Sequence, residues 1–382
     1  MPSQITNYQC PRCMGPLHYK GSSGKVECDY CGSSFTVQEI EELYADKIEQ
    51  AEQAGVAAAQ QQAEAESVFE GSDADYEAEW DCDSAGSEWG ADAVGMKQYS
   101  CPSCGAELIC DATTAATRCP YCGNPTVVPA QFHGGLKPDY ILPFKLSKEQ
   151  AVQALTKYYK GKKLLPKSFA DSNHIEEIKG VYVPFWLFNG EADVEMQFSA
   201  TRVYTSRHGD KRVTETDHFD LRRGGRVSFA RIPVDASTKM PDSHMDAIEP
   251  FDYKDLKPFS TAYLPGFLAD IYDVPPQDCA SRADERASNT AKQIVENTVS
   301  GYSTCTPVSG RVRLRRGRVD YALMPVWMLS TRWNGKSFLF AMNGQSGKLI
   351  GDLPVSMGRY WARFAGVAAP IAAALLALMF FL

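Results

Sequence analysis

The chain has 382 residues, of which 44% are hydrophobic, and its formal net charge is −8 at pH 7. This length excludes a small disulfide-stapled protein, because two or three folded units can bury hydrophobic cores of their own. The charge says little about the folded parts, because residues 48–96 carry thirteen acidic residues and no Lys or Arg, which leaves +5 for the remainder.

Eight of the twelve cysteines form two units of the same pattern, in which two Cys-x-x-Cys pairs are separated by fourteen residues. Four thiolates at this spacing bind a tetrahedral Zn²⁺ ion and leave no coordination position open. The sequence therefore predicts zinc ribbons at 1–36 and 99–130, each with one structural Zn²⁺. The predicted ligands are Cys10, Cys13, Cys28, Cys31, Cys101, Cys104, Cys119 and Cys122.

Two segments are predicted between the ribbons. Thr36 and Glu39 have the spacing of a capping box, and the residues that follow are rich in Ala, Glu and Gln, which predicts a helix over 37–67. A coiled coil is an alternative for this helix. Residues 68–98 are acidic and aperiodic and predict a disordered linker, in which Trp80 and Trp89 are either docking anchors or loosely packed aromatics.

The main domain is predicted over 135–355, with α+β fold class and a mainly antiparallel sheet. Ser147 and Gln150 indicate a capped helix, and Asn334-Gly335 indicates a hairpin turn. The segments 182–187 and 323–328 resemble each other, which would follow from two related strand units in one sheet or from chance.

The last predicted element is a transmembrane helix over 364–382. These nineteen residues carry no charge, and as a helix they would extend about 28 Å, close to the hydrocarbon thickness of a bilayer. Lys348, Arg359 and Arg363 precede the segment, so the positive-inside rule predicts a single-pass protein with residues 1–360 in the cytoplasm. That location agrees with reduced cysteines and with an N-terminus that lacks a signal peptide pattern.

The strongest basic cluster is RVRLRRGR, which is interpreted as a solvated hairpin or as a contact for anionic lipid or nucleic acid. Its candidate residues are Arg311, Arg313, Arg315, Arg316 and Arg318. His218 and His174 each lie near carboxylates and are weak candidates for catalysis. The sequence contains no Gly-x-Ser-x-Gly, His-Glu-x-x-His or Gly-x-Gly-x-x-Gly motif.

Several stretches from the second ribbon to the C-terminal segment resemble a group of bacterial membrane-tethered proteins with double TFIIB-type zinc ribbons. They are YCGNPTVVP, LKPDYILPFKLSKEQA, IEEIKGVYVPFWLFNGEAD, TETDHF, KPFSTAYLPGFLADIYDV and MNGQSGKLIGDLP. The resemblance implies a bacterial protein whose eight paired cysteines bind zinc. It implies no settled activity, although some relatives carry the label of a primosomal replication-restart helicase.

These observations lead to one functional hypothesis and two alternatives. The hypothesis is a non-enzymatic, membrane-anchored adaptor whose zinc ribbons recruit a cytosolic protein partner. The first alternative is a nucleic-acid-binding protein linked to DNA replication, which the near-neutral charge of both ribbons disfavours. The second alternative is a hydrolase that uses His218 or His174.

Overall fold

The fold is described from a computed structural model, and the description covers most of the chain from Cys10 to Phe381 with gaps. The described residues are 10–12, 17–21, 23–28, 31–40, 79–93, 96–111, 114, 118–124, 128–130, 135–160, 162–166, 168–169, 177–209 and 211–381.

Fourteen strands and four helices of seven or more residues organise this part of the chain. The strands are β1 (Leu17–Lys20), β2 (Lys25–Cys28), β3 (Ser34–Thr36), β4 (Lys97–Ser100), β5 (Glu107–Cys110), β6 (Val128–Ala130), β7 (Tyr140–Ile141), β8 (Lys179–His208), β9 (Lys211–Asp235), β10 (Lys257–Pro258), β11 (Leu268–Asp270), β12 (Thr304–Trp333), β13 (Lys336–Asn343) and β14 (Leu349–Gly351). The helices are α1 (Lys148–Lys160), α2 (Asp242–Ile248), α3 (Pro276–Glu296) and α4 (Met357–Phe381).

The strands form a small antiparallel sheet, β1-β2-β3, and a large mixed sheet of eleven strands. The large sheet runs β10-β7-β12-β8-β11-β5-β4-β6, with β9 paired to β8, and with β13 paired to β12 and β14. Only β11 with β8 and β12 with β7 are parallel among these described pairs. The predicted α+β class with a mainly antiparallel sheet is therefore confirmed.

The long strands β9, β8 and β12 extend beyond the core as a three-stranded arm, made of residues 190–208, 211–229 and 304–316. Alternate residues of β8 from Ala192 to Ala200 are buried, and α3 packs against all three strands. The intervening residues form the open face of the arm, on the side opposite α3. Side chains on this face are therefore available for charge pairing across the strands.

The large sheet has a hydrophobic cluster on each face. Tyr182 and Trp186 of β8 belong to one cluster, together with the apolar residues of β1–β3. Val181 and Val183 belong to the other, together with Cys101 and other residues of the second cysteine unit. Because side chains alternate along a strand, β8 contributes to both clusters and is the central element of the fold.

Local sequence signals specify several of these elements. Ser147 and Gln150 cap α1 reciprocally, with the Ser147 N–H donating to Gln150 Oε1 over 2.9 Å. Asn334 and Gly335 both have positive φ and connect β12 to β13 in a two-residue hairpin. The similar segments 182–187 of β8 and 323–328 of β12 lie on paired strands at the centre of the sheet, where Tyr182 lies opposite Pro325.

The prediction of a disordered linker over 68–98 is wrong for residues 79–93. Trp80 and Trp89 are 6% and 8% exposed, and their rings pack edge-on against Phe188 and Phe259. The backbone of Asp81 exchanges hydrogen bonds with Gly317 and Val319 on β12. The segment 79–93, called the strap below, stays ordered because burying two indole rings offsets its low overall hydrophobicity.

The predicted helix over 37–67 falls largely outside the described residues, and so does the alternative of a coiled coil. Residues 37–40 are helical. The capping box is present, because the Thr36 N–H donates to Glu39 Oε2 over 2.7 Å and the Glu39 N–H donates to Thr36 Oγ1 over 3.2 Å.

The predictions of a transmembrane helix over 364–382 and of a single-pass membrane location are wrong. Across the described residues, no helix combines the length and the hydropathy that crossing a bilayer requires. α4 runs from Met357 to Phe381 and includes Arg359 and Arg363 in its first two turns. Arg359 donates a hydrogen bond to the Leu165 carbonyl and so contacts the main domain.

Candidate metal centres

The second cysteine unit gathers its four sulfur atoms at one point. β4 ends at Ser100, directly before Cys101, and the chain turns back through Cys104 into β5. The Sγ atoms of Cys101 and Cys122 lie 3.6 Å apart, as do those of Cys104 and Cys119. All four Sγ atoms lie within 4.8 Å of one another, so these thiols could hold a metal ion.

Each Cys-x-x-Cys pair of this unit sits on a tight turn that ends in glycine. Gly105 and Gly123 both have φ of +68°, a backbone conformation that costs glycine little. Their N–H groups donate to the carbonyls of Cys101 and Cys119 over 2.8 and 3.0 Å. The turns therefore set the spacing of the two sulfur atoms within each pair.

Backbone dipoles favour the ionised form of one thiol in this unit. Burial opposes ionisation of Cys101, but the N–H groups of Cys104 and Ser103 and neighbouring thiols lower its pKa to about 7. Burial instead raises the pKa of Cys104 to about 11 and that of Cys119 further. A cation at the centre would lower the pKa of every surrounding thiol and so offset the increase that burial causes.

The sulfur geometry fits a tetrahedral ion. With Zn–S distances of about 2.3 Å, the sulfur atoms of a tetrahedral site lie about 3.8 Å apart. The 3.6 Å separations are close to this value and far longer than a disulfide bond of about 2.05 Å. All described cysteines are free thiols. Four sulfur donors around one point suit Zn²⁺ and would complete its coordination.

The first cysteine unit forms a similar cluster as far as it is described. Cys10, Cys28 and Cys31 have Sγ atoms within 4.8 Å of one another, and those of Cys10 and Cys31 are 3.4 Å apart. Gly32 has φ of +67°, and its N–H donates to the Cys28 carbonyl over 2.9 Å, as in the second unit. The predicted fourth ligand, Cys13, lies outside the described residues.

The first ribbon packs against the main domain. The Tyr19 ring contacts Tyr263 edge-on at 5.3 Å, and the Tyr19 N–H donates to the Pro265 carbonyl over 3.2 Å. A side chain at Gly21 would collide with the Phe144 carbonyl, so the backbones approach closely there. The outer turn is accessible, because Pro11, Arg12 and Cys31 are exposed.

The second ribbon is part of the large sheet. β5 pairs with β11, with Ile109 opposite Ala269 and Leu108 opposite Asp270, and β11 in turn pairs with β8. Inside the second turn, the Tyr121 hydroxyl donates to the Asp270 carboxylate over 2.6 Å. Asp270 is not among the residues that the sequence predicts for this site; its one signal in the sequence is a single acidic residue in the apolar stretch GFLADIY.

The remaining cysteines lie outside both clusters. Cys110 is buried, and burial raises its pKa to about 12, which keeps it a thiol. Cys279 is also buried and its Sγ contacts the Asp235 carbonyl at 3.7 Å. Cys82 is half-buried in the strap and Cys305 is exposed on the arm.

Internal ion pairs engage most of the basic cluster on β12. Arg315 pairs with Asp193 at 3.1 Å, Arg316 with Asp284 at 2.8 Å, and Arg318 with Asp320 at 3.3 Å. Arg311 and Arg313 are exposed on the open face of the arm. The cluster therefore offers fewer cations to an external anion than its sequence indicates.

The histidine candidates do not form a site in the described residues. His218 is exposed on β9, opposite Thr201 on β8. His174 lies outside the described residues. A cavity of about 670 Å³ opens nearby on the arm, but Glu195, Gln197, Arg222, Ser309 and Arg311 are among its lining residues, and His218 is not.

A comparison of sequences relates the chain to one curated protein. The uncharacterized protein YdjG of Bacillus subtilis (strain 168) is 33% identical to it over 319 residues, which cover 71% of this chain and 94% of that protein. No family model matches the chain, and no solved structure matches it. The extent and identity of the match show that the chain belongs to the same protein family as YdjG of Bacillus subtilis.

Proposed function

We propose that the chain is a non-enzymatic adaptor that binds one structural Zn²⁺ in each ribbon and recruits a protein partner. The observation that carries this proposal is the convergence of four sulfur donors in the second unit. A Cys₄ zinc site has no open position for water or substrate, so its role is to stabilise a folded surface. The resemblance to double TFIIB-type zinc-ribbon proteins supports zinc as the ion.

The two ribbons differ in what they offer a partner. The second is built into the large sheet and contributes Cys101 and Tyr121 to a core cluster. The first packs on the domain through Tyr19 but exposes Pro11, Arg12 and Cys31 on its outer turn. The first ribbon is therefore the proposed contact surface, and the second a structural support.

The charge of the first ribbon favours protein over nucleic acid as the partner. Residues 1–35 carry three Lys or Arg and two acidic residues. Binding to phosphates needs a basic surplus that releases counterions, and this segment lacks one.

The experiment compares partner capture by the full-length protein and by Cys→Ser variants, using crosslinking and quantitative mass spectrometry in cells. Cys31→Ser removes a ligand of the first ribbon, and Cys305→Ser changes an exposed cysteine outside both clusters as the matched control. The proposal expects a partner whose capture falls at least about tenfold, or about 1.4 kcal/mol, in Cys31→Ser and not in Cys305→Ser. A set of crosslinked proteins that is the same for all three chains would contradict it.

One observation favours a second candidate, an anionic ligand such as nucleic acid on the arm. Arg222 on β9 and Arg311 on β12 flank Gln197 and Glu195 of β8 on the open face, where they line the 670 Å³ cavity. Glu195 lowers the attraction for an anion. Binding of single-stranded DNA at low salt that weakens steeply with added salt and disappears in Arg222→Ala/Arg311→Ala would support this candidate, and no binding at low salt would remove it.

A further inference from the structure

The second turn of ribbon 2 makes a buried polar contact outside its own sulfur cluster. Tyr121 lies between the ligand positions Cys119 and Cys122 and is 6% exposed. Its hydroxyl donates to Asp270 Oδ2 over 2.6 Å, and the Ser237 hydroxyl donates to the same oxygen over 2.8 Å. Asp270 itself is 1% exposed at the end of β11.

Both halves of the second metal centre meet at this residue. The first pair, Cys101 and Cys104, precedes β5, and Leu108 of β5 lies opposite Asp270 in the antiparallel pairing. The second pair, Cys119 and Cys122, is linked to Asp270 by the side chain of Tyr121, which lies between the two cysteines in the sequence. Asp270 is thus linked to the first pair through β5, the strand that follows it, and to the second pair through the hydrogen bond from Tyr121.

The cost of burying this carboxyl indicates that it has a role. Oδ1 of Asp270 is buried without a hydrogen-bond partner among the described residues. An unpaired buried oxygen destabilises a fold, and apolar residues such as Leu268 fill neighbouring positions of β11. Unlike an apolar side chain at this position, Asp270 can accept the hydrogen bond from the Tyr121 hydroxyl.

We propose that Asp270 is a positioning residue for the second metal centre. By accepting the Tyr121 hydrogen bond, it holds Cys119 and Cys122 at the separation from Cys101 and Cys104 that a tetrahedral ion requires. This inference rests on the proposed zinc occupancy. It also couples zinc binding in ribbon 2 to the central sheet, because β11 pairs directly with β8.

The test measures zinc affinity at each ribbon of the full-length reduced protein by competition with a chromophoric chelator. A parallel series carrying Cys28→Ser reports the second site alone. Tyr121→Phe removes the donor, Asp270→Ala removes the acceptor, and Asp270→Asn keeps an acceptor. Tyr182→Phe is the matched control, because Tyr182 is a fully buried tyrosine on β8 whose ring packs against Phe144 in the other core cluster.

The expected result is a zinc Kd at the second site raised about tenfold or more in Tyr121→Phe and Asp270→Ala, the range for residues that orient metal ligands. Asp270→Asn and Tyr182→Phe stay within about twofold of the unmodified chain, and the first site is unchanged in every variant that retains Cys28. An unchanged Kd in Tyr121→Phe, or equal weakening at both sites, would overturn the inference. Fewer than two zinc ions in the unmodified chain would instead overturn the proposed function.

Discussion

Trp80 and Asp284 are 204 residues apart in sequence, and the Trp80 indole N–H donates a 2.9 Å hydrogen bond to Asp284 Oδ1. Asp284 lies on α3 and also accepts two hydrogen bonds from Arg316 of β12, over 3.2 and 2.8 Å. One carboxylate thus connects the strap, a helix and a central strand. The acidic strap is a structural part of the domain for this reason.

Replacing Trp80 by Ala should lower the free energy of unfolding by about 3–5 kcal/mol, the range for removing a buried aromatic side chain. The indole is 6% exposed and contacts the rings of Phe188 and Phe229. Denaturant unfolding of the full-length protein measures the change. Trp361→Ala is the control, because Trp361 is 56% exposed and should change stability by less than about 0.5 kcal/mol. Equal stability of Trp80→Ala and the unmodified chain would show that the strap does not contribute to the fold.

Replacing Arg316 by Ala should lower stability by about 1–2 kcal/mol, because among the described residues it leaves Trp80 as the remaining hydrogen-bond donor to Asp284. Arg311→Ala removes an exposed arginine of the same strand and should have no measurable effect on unfolding. The pair of variants separates structural from surface arginines in one cluster. If Arg311→Ala were the more destabilising of the two, the ion-pair assignment would be wrong.

Removing a ligand from each ribbon should have different consequences for the main domain. Cys119 is buried in a core cluster of the large sheet, so Cys119→Ser should lower the melting temperature of the whole domain by about 4 °C or more, as expected for a loss of over 2 kcal/mol. Cys31 is exposed in the first ribbon, so Cys31→Ser should leave the main transition within about 2 °C. Calorimetry measures both, and identical shifts would contradict the integration of ribbon 2 into the sheet.

The free energy of unfolding should decrease as pH rises from about 4 to about 7, because the carboxyl of Asp270 has a raised pKa in the folded chain. Burial raises the pKa of Asp270 from 3.8 to about 7, against the hydrogen bonds from Tyr121 and Ser237; Asp273 raises it further and Lys239 lowers it. The folded chain holds this proton over that window and the unfolded chain does not, so each pH unit removes up to about 1.4 kcal/mol.

The difference in unfolding free energy between the unmodified chain and Asp270→Asn isolates this contribution, because other titrating groups cancel. The unmodified chain should lose stability relative to the variant as pH rises from about 4 to about 7, and the difference should then level off. A difference that does not change with pH would show that Asp270 keeps an ordinary pKa.

Features set by neighbouring residues could be predicted from the sequence. The Cys-x-x-Cys spacing identified the turns that gather Cys101, Cys104, Cys119 and Cys122, because two residues and a glycine suffice to form each turn. The capping box at Ser147 and the Asn334-Gly335 hairpin have the same local origin. Each is a contact within about four residues, which a sequence pattern encodes directly.

Features set by distant contacts could not be predicted. The pairing of β5 with β11 joins residues about 160 positions apart, and no local spacing indicates it. The strap has the composition of a disordered segment, since two buried indole rings hardly change its average. The length and composition of the apolar C-terminal segment predict a membrane span, and the described part of the chain holds no helix that meets the requirements for one.

The central claim is that eight thiolates bind two metal ions, and the zinc content of the reduced full-length protein tests it most directly. Native mass spectrometry combined with elemental analysis counts the ions on the intact chain. The account predicts two zinc ions per chain, which are released on acidification as the thiolate ligands of both ribbons take up protons. Fewer than two zinc ions, or cysteines of the two clusters joined as disulfides, would contradict it.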